Sequence, residues 1–456
     1  MKDRQPNVIL INCDDLGYGD LGCYGSIAHD TPVLDKMAQE GIRFTDFYMA
    51  SPVCSPSRGA MLTGCYPRRI GFGSFEGKWV LFPGQGIGLH SDEWTIGKAL
   101  QQQGYATMLI GKWHCGDQPE FLPTRHGFDH YYGIPYSNDM GYQAGRTQFP
   151  PLPLMLDEEV LQQQPSQASL TERYVEQSVR FIRENAVAGK PFFLYLAHMY
   201  VHLPLYVPDR FLNESRNGAY GAAVACIDWV TGVLLDELKR QGMEENTLVV
   251  FTSDNGSRCD NEGSNGPLRG TKGTTWEGGQ RVPCIMRWPG TIPAGTVSQA
   301  LTTSLDFLPT LVGLAGGTLP EDRIIDGCDL RPLLSGGEGA DSPREVFFYY
   351  LKDNLEAVRF GPWKLHVWRK DAAVRELYHL ETDIGETTNV IEAHPEIAAQ
   401  LERLIEQCRS DLGDAATGQE GSNCRPHGRV DQPTTLTHYD ADHPYMIAMY
   451  DIEDAG

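Results

Sequence analysis

The sequence predicts an α/β fold: a large mixed, mainly parallel sheet flanked by helices, followed by a smaller C-terminal α+β domain of antiparallel sheet plus one helix. Three observations lead there. Short, continuous apolar runs recur along the first two-thirds of the chain, with helical patterns between them. Each of these runs ends in a charged or polar cluster. Beyond about residue 335 the composition changes, and short strand patterns follow one another closely.

The apolar runs are NVILI (7–11), YATMLI (105–110), PFFLYLA (191–197) and TLVVF (247–251). They are continuous rather than alternating, as expected for strands buried on both faces. The helices are equally marked. Thr95 to Gln103 has a capping threonine and a Gly104 stop; Leu170 to Ala186 carries Val175, Ser178, Val179 and Ile182 on one face; Tyr220 to Gln241 is long, apolar-faced and stopped by Gly242. LSGGEGADSPRE (334–345) has the composition of a linker. After it come VFFYY (346–350), EAVRF (356–360), WKLHVW (363–368) and ELYHL (376–380), with GPW (361–363) as a tight hairpin turn. A helix from Pro395 to about Leu412 follows, with Ile397, Leu401, Leu404 and Cys408 on one stripe. The predicted organisation is a main domain over 1–340, a small sheet-and-helix subdomain over 341–412, and an irregular tail over 413–456. That tail packs back on the main domain, with Tyr439, Tyr445, Met446 and Tyr450 as anchors.

The chain has 456 residues, of which 41% are hydrophobic and 10% aromatic, which marks it as globular. Its formal net charge of −22 disfavours nucleic acid and anionic membranes as partners, and means that an anionic substrate needs a local cationic pocket. No apolar run approaches the roughly 20 residues that span a bilayer. MKDRQPNVILIN is too short and polar for a signal peptide, so the expectation is a cytoplasmic chain, or a periplasmic or secreted one whose leader has been removed. The 11 cysteines form no CxxC pair, which disfavours a zinc ribbon or thioredoxin-like centre.

In doubly wound sheets, ligands bind beyond the carboxyl ends of the strands. There this sequence places Asp14 and Asp15 after one strand and Asp254 and Asn255 after another. Carboxylate and amide oxygens from two strand ends make a hard oxygen site suited to calcium, with magnesium as the alternative. Around it the sequence offers Arg58, Lys112 and Lys272 with His114 and His202, groups that clamp a tetrahedral oxyanion. No GxxxxGK[ST] is present, so this is not a P-loop. SPVCSPSRGAMLTG (51–64) has Ser55 and Pro56 suited to a helix start, and a buried cysteine beside a capped helix explains it as well as catalysis does.

Cys54-Ser55-Pro56-Ser57-Arg58-Gly59-Ala60-Met61-Leu62-Thr63-Gly64 matches the signature C-x-P-x-R-x-x-x-L-T-G at every fixed position. With NVILINCDDLGYGDLGCYG (7–25), GKWHCG (111–116), HGFDHYYGIPYSND (126–139), FTSDNG (251–256), KGTTWEGGQRVP (272–283) and ELYHLETDIGETTN (376–389), it makes the chain resemble the type I, formylglycine-dependent sulfatase family over most of its length.

That resemblance implies an alkaline phosphatase-like fold and hydrolysis of sulfate monoesters. It implies that Cys54 is converted to Cα-formylglycine, whose hydrate attacks sulfur and passes through a covalent sulfoenzyme intermediate. It implies that Asp14, Asp15, Asp254 and Asn255 bind calcium beside Cys54, and that Arg58 stabilises the hydrate. Lys112 and Lys272 would hold sulfate oxygens, His114 would assist release of the sulfated intermediate, His202 would contact the leaving-group side, and Ser137 would support the site. Asp254 is then a candidate to take the proton of the attacking hydroxyl, and Lys272 or His202 to assist the leaving oxygen. A formylglycine-generating or other sulfatase-maturating enzyme is an implied partner. Asn138 stands where related chains can carry histidine, and Cys115 replaces a usual leucine; His198 is assigned a structural role. A terminal sulfate on a mono- or oligosaccharide is the expected substrate, with Phe75, Trp79, Phe82 and Phe149 as entrance aromatics. Hydrolysis of phosphonate monoesters or phosphodiesters, and non-catalytic binding of sulfated sugars, are the competing readings.

Overall fold

A computed structural model describes residues 5–143, 145, 148–260, 262–336 and 341–438. At its centre lies a ten-stranded sheet ordered Thr296–Ser298, Ile42–Phe44, Cys284–Arg287, Thr247–Ser253, Asn7–Cys13, Phe192–Ala197, Ala106–Gly111, His130–Gly133, Pro153–Leu156, Glu159–Gln163. The middle strands, from Thr247–Ser253 across to His130–Gly133, are all parallel; antiparallel strands flank them. All four apolar runs expected as strands are in this parallel centre. Their continuity has a simple cause, since both faces are covered. Ile9 and Ile11 pack into one core and Val8 and Leu10 into the other, all at most 1% exposed.

The helices form where expected. Thr95 caps Ile96–Gln102 by accepting from the Lys98 amide at 3.2 Å. Gln167–Ala188 is longer than predicted at both ends and buries Val175, Ser178 and Ile182, with Val179 only partly covered. Gly218–Arg240 is apolar and long enough to match a membrane span by length and composition, which the run-based reading did not register. Most of it lies inside the protein, against Gln167–Ala188 and the sheet.

Val346–Leu351, Asn354–Phe360, Trp363–Arg369 and Ala372–His379 form an antiparallel sheet in sequence order. Gly361, at φ 53°, makes the turn at GPW. The Pro395–Leu412 helix packs on this sheet through Ala398, Leu401, Ile405 and Cys408. The predicted stripe is therefore rotated: Ile397 and Leu404 lie at its margin, and Ala398 and Ile405 take the centre. The following segment is less irregular than expected. Gly413–Asp414 pairs with Gln419–Glu420, and Gly428–Arg429 pairs with Ile87–Gly88 in a separate two-stranded sheet. Tyr439, Tyr445, Met446 and Tyr450 lie outside the described residues.

Candidate active site

Every parallel strand of the centre delivers a functional segment at its carboxyl end. Asp14 and Asp15 follow Asn7–Cys13, and Asp254 and Asn255 follow Thr247–Ser253. Lys112 and His114 follow Ala106–Gly111, His202 follows Phe192–Ala197, and Ser137 follows His130–Gly133. The sheet's bonding pattern continues into these segments. The Asp254 amide donates to Cys13 O at 2.9 Å, Lys112 N to Ala197 O at 2.8 Å and Asp14 N to Tyr200 O at 2.8 Å. Gly111 permits this approach: at φ 103° it turns the chain where a Cβ would lie 1.9 Å from Ala197 O. Asp15 and His114 both hold left-handed backbone, at φ 64° and 59°, a conformation that Asp and His tolerate better than most residues.

Cys54 opens the Cys54–Thr63 helix with Val53 as its N-cap. Ser55 does not cap it, contrary to the sequence expectation. Its hydroxyl points sideways and accepts from Leu81 N at 3.1 Å, because the preceding extended residue is already Val53. Cys54 and Arg58, four residues apart, do share a helix face. Cys54 Sγ lies 3.4 Å from Asp14 Oδ1, and Arg58 Nη2 lies 3.9 Å from Asp14 Oδ2. Arg58 grips Asp254 through Nε at 2.9 Å and Nη2 at 2.8 Å, and donates from Nη1 to Lys112 O at 2.9 Å. Lys112 Nζ meets Asp14 Oδ2 at 2.5 Å and Ser137 Oγ at 3.3 Å. Lys272 Nζ meets both Asp15 oxygens, at 2.7 and 2.9 Å. All the sequence-predicted site residues therefore converge on one crevice.

The electrostatics follow from burial and these partners. Burial opposes ionisation of Asp14, but the charges of Lys112, Arg58 and Lys272 outweigh it and hold the carboxyl well below the usual range. Asp254 goes the other way: burial and neighbouring Asp14 raise it to about 7 against Arg58 and Lys112. Burial and Asp14 push the Cys54 thiol far up. Burial and the lysines depress His202 and His114, so both imidazoles are neutral at neutral pH.

Their tautomers are set by carbonyls, which only accept. His202 Nδ1 donates to Leu203 O at 2.7 Å, leaving Nε2, 3.9 Å from Asp15 Oδ2, with its lone pair. His114 Nε2 donates to Leu81 O at 3.0 Å, leaving a buried, unpartnered Nδ1.

The residues fit a hard cation. Ligand atoms of Asp14, Asp15, Cys54 and His202 lie within 4.8 Å of one another. Asn255 donates to Asp15 Oδ1 at 2.7 Å, while its own Oδ1 is buried without a partner. An orphaned amide oxygen among carboxylates is the donor chemistry of calcium or magnesium rather than of zinc or copper.

Asn138 braces the floor: Nδ2 donates to Gln167 Oε1 and to Pro204 O, both at 3.0 Å, so it supports the chain just after His202. Cys115 is fully buried, its thiol pushed to about 12 by burial, as a packing residue would be. His198 is buried, both ring nitrogens lack partners, and burial holds it near 3, hence neutral. Of the entrance aromatics, Phe75 is a core residue packed edge-on against Phe72, and Phe82 stacks on Phe149 at 6.0 Å. Sequence reasoning missed Ser57, whose hydroxyl donates to Asp254 O at 2.5 Å, and the Leu81 carbonyl that orients His114. The Ser57 position lies in the variable part of the signature, and a backbone carbonyl has no sequence mark.

Comparison with known proteins agrees with this geometry. A family model described as Sulfatase matches residues 6–317, and one described as N-sulphoglucosamine sulphohydrolase, C-terminal, matches 271–411. N-acetylgalactosamine-6-sulfatase of Canis lupus familiaris is 41% identical over 381 residues, covering 80% of this chain and 72% of that protein. Arylsulfatase A of Homo sapiens is 39% identical over 449 residues, covering 88% and 87%. Among solved structures, Ps i-CgsB in complex with k-i-k-neocarrahexaose superposes with a TM-score of 0.79 at 31% identity, over 89% of this chain and 92% of that one. A phosphonate monoester hydrolase of Agrobacterium radiobacter shares the fold, at a TM-score of 0.66 and 20% identity over 89% and 95% of the two chains. That last likeness is one of fold alone. With its signature helix, its crevice of carboxylates and cations, and relatives of this similarity, the chain belongs to the sulfatase family and is a sulfuric ester hydrolase.

Proposed function

We propose that this sulfatase removes a terminal sulfate from a mono- or oligosaccharide, accepting aryl sulfates as surrogates, with Cys54 matured to Cα-formylglycine and calcium held by Asp14, Asp15, Asp254 and Asn255. The observation that carries this reading is the state of Cys54. Its thiol is 2% exposed and held protonated by burial and by Asp14, so it is a poor nucleophile as it stands. Yet it sits at the focus of Arg58, Lys112 and Lys272, where an attacking group belongs.

Formylglycine, if formed from Cys54, would supply an aldehyde whose hydrate carries two hydroxyls on one carbon, a nucleophile toward sulfur and a group from which sulfate can leave. Calcium held by Asp14, Asp15, Asp254 and Asn255 would supply positive charge to neutralise the substrate's anionic group. The other roles fall to this chain's own side chains. Arg58 stabilises the hydrate and holds Asp254, which takes the proton of the attacking hydroxyl. Lys112 and Lys272 bind sulfate oxygens from opposite sides, and Ser137 steadies Lys112. His202 presents Nε2 to the leaving oxygen together with Lys272, and His114 presents Nδ1 for release of the sulfated group.

Charge supports an anionic substrate. Asp14, Asp15 and Asp254 face Arg58, Lys112 and Lys272, so a divalent cation would leave a positive surplus that attracts a singly charged sulfate ester. The test is mass spectrometry of the tryptic peptide 44–58 from protein made in its own host, paired with sulfate release from an aryl sulfate. An aldehyde or its hydrate at Cys54 with turnover is expected, and requires a maturating enzyme in that host. A plain thiol throughout with no turnover would sink the mechanism.

A further inference from the structure

The crevice floor is buried, but its rim carries a broadly exposed indole, Trp79, at 42%. Its position is pinned from three sides. Phe75 and Lys78 exchange backbone hydrogen bonds at 3.1 Å, anchoring the segment in the core through Phe75. Leu81 ties the other end to the site, its amide to Ser55 Oγ and its carbonyl to His114. Between these anchors the indole lies over Gly273, so close that a Cβ there would be 2.7 Å from ring carbon Cζ3. Gly273 follows Lys272 directly, and its amide donates to Pro52 O at 2.9 Å, just before Cys54.

One lysine lies over this ring, and a second, the residue before it in sequence, lies over the ring of Phe82. Lys352 Nζ, from the hairpin tip between Val346–Leu351 and Asn354–Phe360, lies 5.4 Å from the Trp79 ring centre and donates to Gly77 O at 3.0 Å. Lys78 Nζ lies 4.7 Å from the Phe82 ring centre. Neither forms an ion pair among the described residues, although the chain carries a net charge of −22. The nearest acids in sequence are engaged elsewhere. Glu76 pairs with Arg429 at 3.1 Å, and Asp353 pairs with Arg68 at 3.3 Å and accepts from Ser74. Two ammonium groups without carboxylate partners, beside an exposed indole at the mouth of an anion site, are suited to an anionic sugar.

We propose that Trp79, Lys78 and Lys352 form a subsite for the sugar next to the one that loses sulfate, taking an anionic substituent, either a sulfate ester or a carboxylate. This rests on the saccharide reading above. The indole offers apolar surface to the sugar ring and the two ammonium groups meet the charge. The C-terminal sheet thereby contributes a specificity group to a site built on the main sheet.

The test compares p-nitrophenyl sulfate with three disaccharides carrying the same terminal sulfate and a second sugar that is neutral, sulfated or a uronate. In the wild type, an anionic second sugar should raise kcat/KM about tenfold over the neutral one, mostly through KM, and the advantage should shrink with added salt. The sulfated and uronate arms show which substituent is taken. Lys352→Gln combined with Lys78→Gln, and Trp79→Ala separately, should erase that ratio, while Lys352→Arg should keep it. Equal wild-type activity on neutral and anionic disaccharides would overturn the subsite. So would variants that lose p-nitrophenyl sulfate and disaccharide turnover in the same proportion. Failure of the wild type to release sulfate from any of the four compounds would instead bring down the reading on which this one rests.

Discussion

One short stretch of sequence supplies a charge to each of two buried ionic networks, and the two are built to opposite ends. Lys272 reaches into the crevice, and Glu277, five residues on, reaches away from it into the contact between the main sheet and the C-terminal sheet. In the second network every charge is matched. Glu277 accepts from Lys364 at 2.9 Å, Tyr349 at 2.8 Å and Arg281 at 3.3 Å, and also from Tyr48. Glu386 accepts from Lys364 and His366, both at 2.9 Å, and from the Glu277 amide at 2.8 Å. Burial would raise Glu277, yet Lys364, Arg281 and Arg359 hold it well below the usual carboxylate range. The crevice differs. It keeps Asn255 Oδ1 and His114 Nδ1 unpartnered and holds Asp254 at about 7. Where the two sheets join, each carboxylate of the network has its cation and only His366 Nδ1 goes without a partner; in the crevice it is an oxygen among carboxylates that is left open, as a cation ligand would be.

The contrast predicts which property each network controls. Lys364→Met should cost about 3–5 kcal/mol of stability, because buried Glu386 would lose its only lysine and Glu277 would keep Arg281 alone as a direct ion-pair partner. Thermal and denaturant unfolding measure this, and an unchanged midpoint would erase the distinction. The folded fraction of that variant should keep its turnover.

Lys272→Ala should behave in reverse. Asp15 keeps Asn255 and His202 as neighbours, so the fold should survive. Turnover should fall about 10²–10³-fold, as for loss of one oxyanion donor. The loss should be greater for alkyl or sugar sulfates than for activated aryl sulfates, because a poor leaving group needs the cation more. Equal losses on both would remove Lys272 from the leaving-group side.

A smaller effect sharpens the edge of the second network. Burial raises Glu356 from 4.5 to about 7, against the Thr275 hydroxyl at 2.6 Å and the charges of Arg369 and Lys364. A carboxyl raised in this way favours the fold below its unfolded value, and that contribution is lost as pH climbs from 4.5 through about 7. Glu356→Gln should therefore gain on the wild type as pH rises, by about 1–3 kcal/mol between roughly pH 5 and pH 8. Parallel stability curves over that interval would show that Glu356 is already ionised in the fold.

Much of the site was legible because its chemistry is local. Cys54 and Arg58 stand four apart on one helix, Asp14 and Asp15 adjoin a strand end, and GKWH follows another. The second network was not legible. Glu277, Lys364 and Glu386 are scattered over a hundred residues and look like ordinary surface charges until the two sheets meet. Ser55 was misread for a related reason: a serine near a helix start satisfies the capping pattern, but the cap depends on which residue is extended, and that is Val53. The stripe on Pro395–Leu412 was displaced because the sheet beneath decides which face is covered.

By itself the sequence determined the strands, the parallel order of the chemistry at their carboxyl ends, and the kind of groups gathered there. Continuous apolar runs need two covered faces, and polar groups that follow such runs can only emerge at one edge of the sheet. Only the tertiary structure decided which charges are neutralised by partners and which are left for a ligand. It also decided that Trp79 and Lys352, 273 residues apart in sequence only by number and joined by one hairpin tip in space, share the rim. Pairing of charges depends on distances between segments that no local pattern encodes, because burial and Coulomb interaction act through space rather than along the chain.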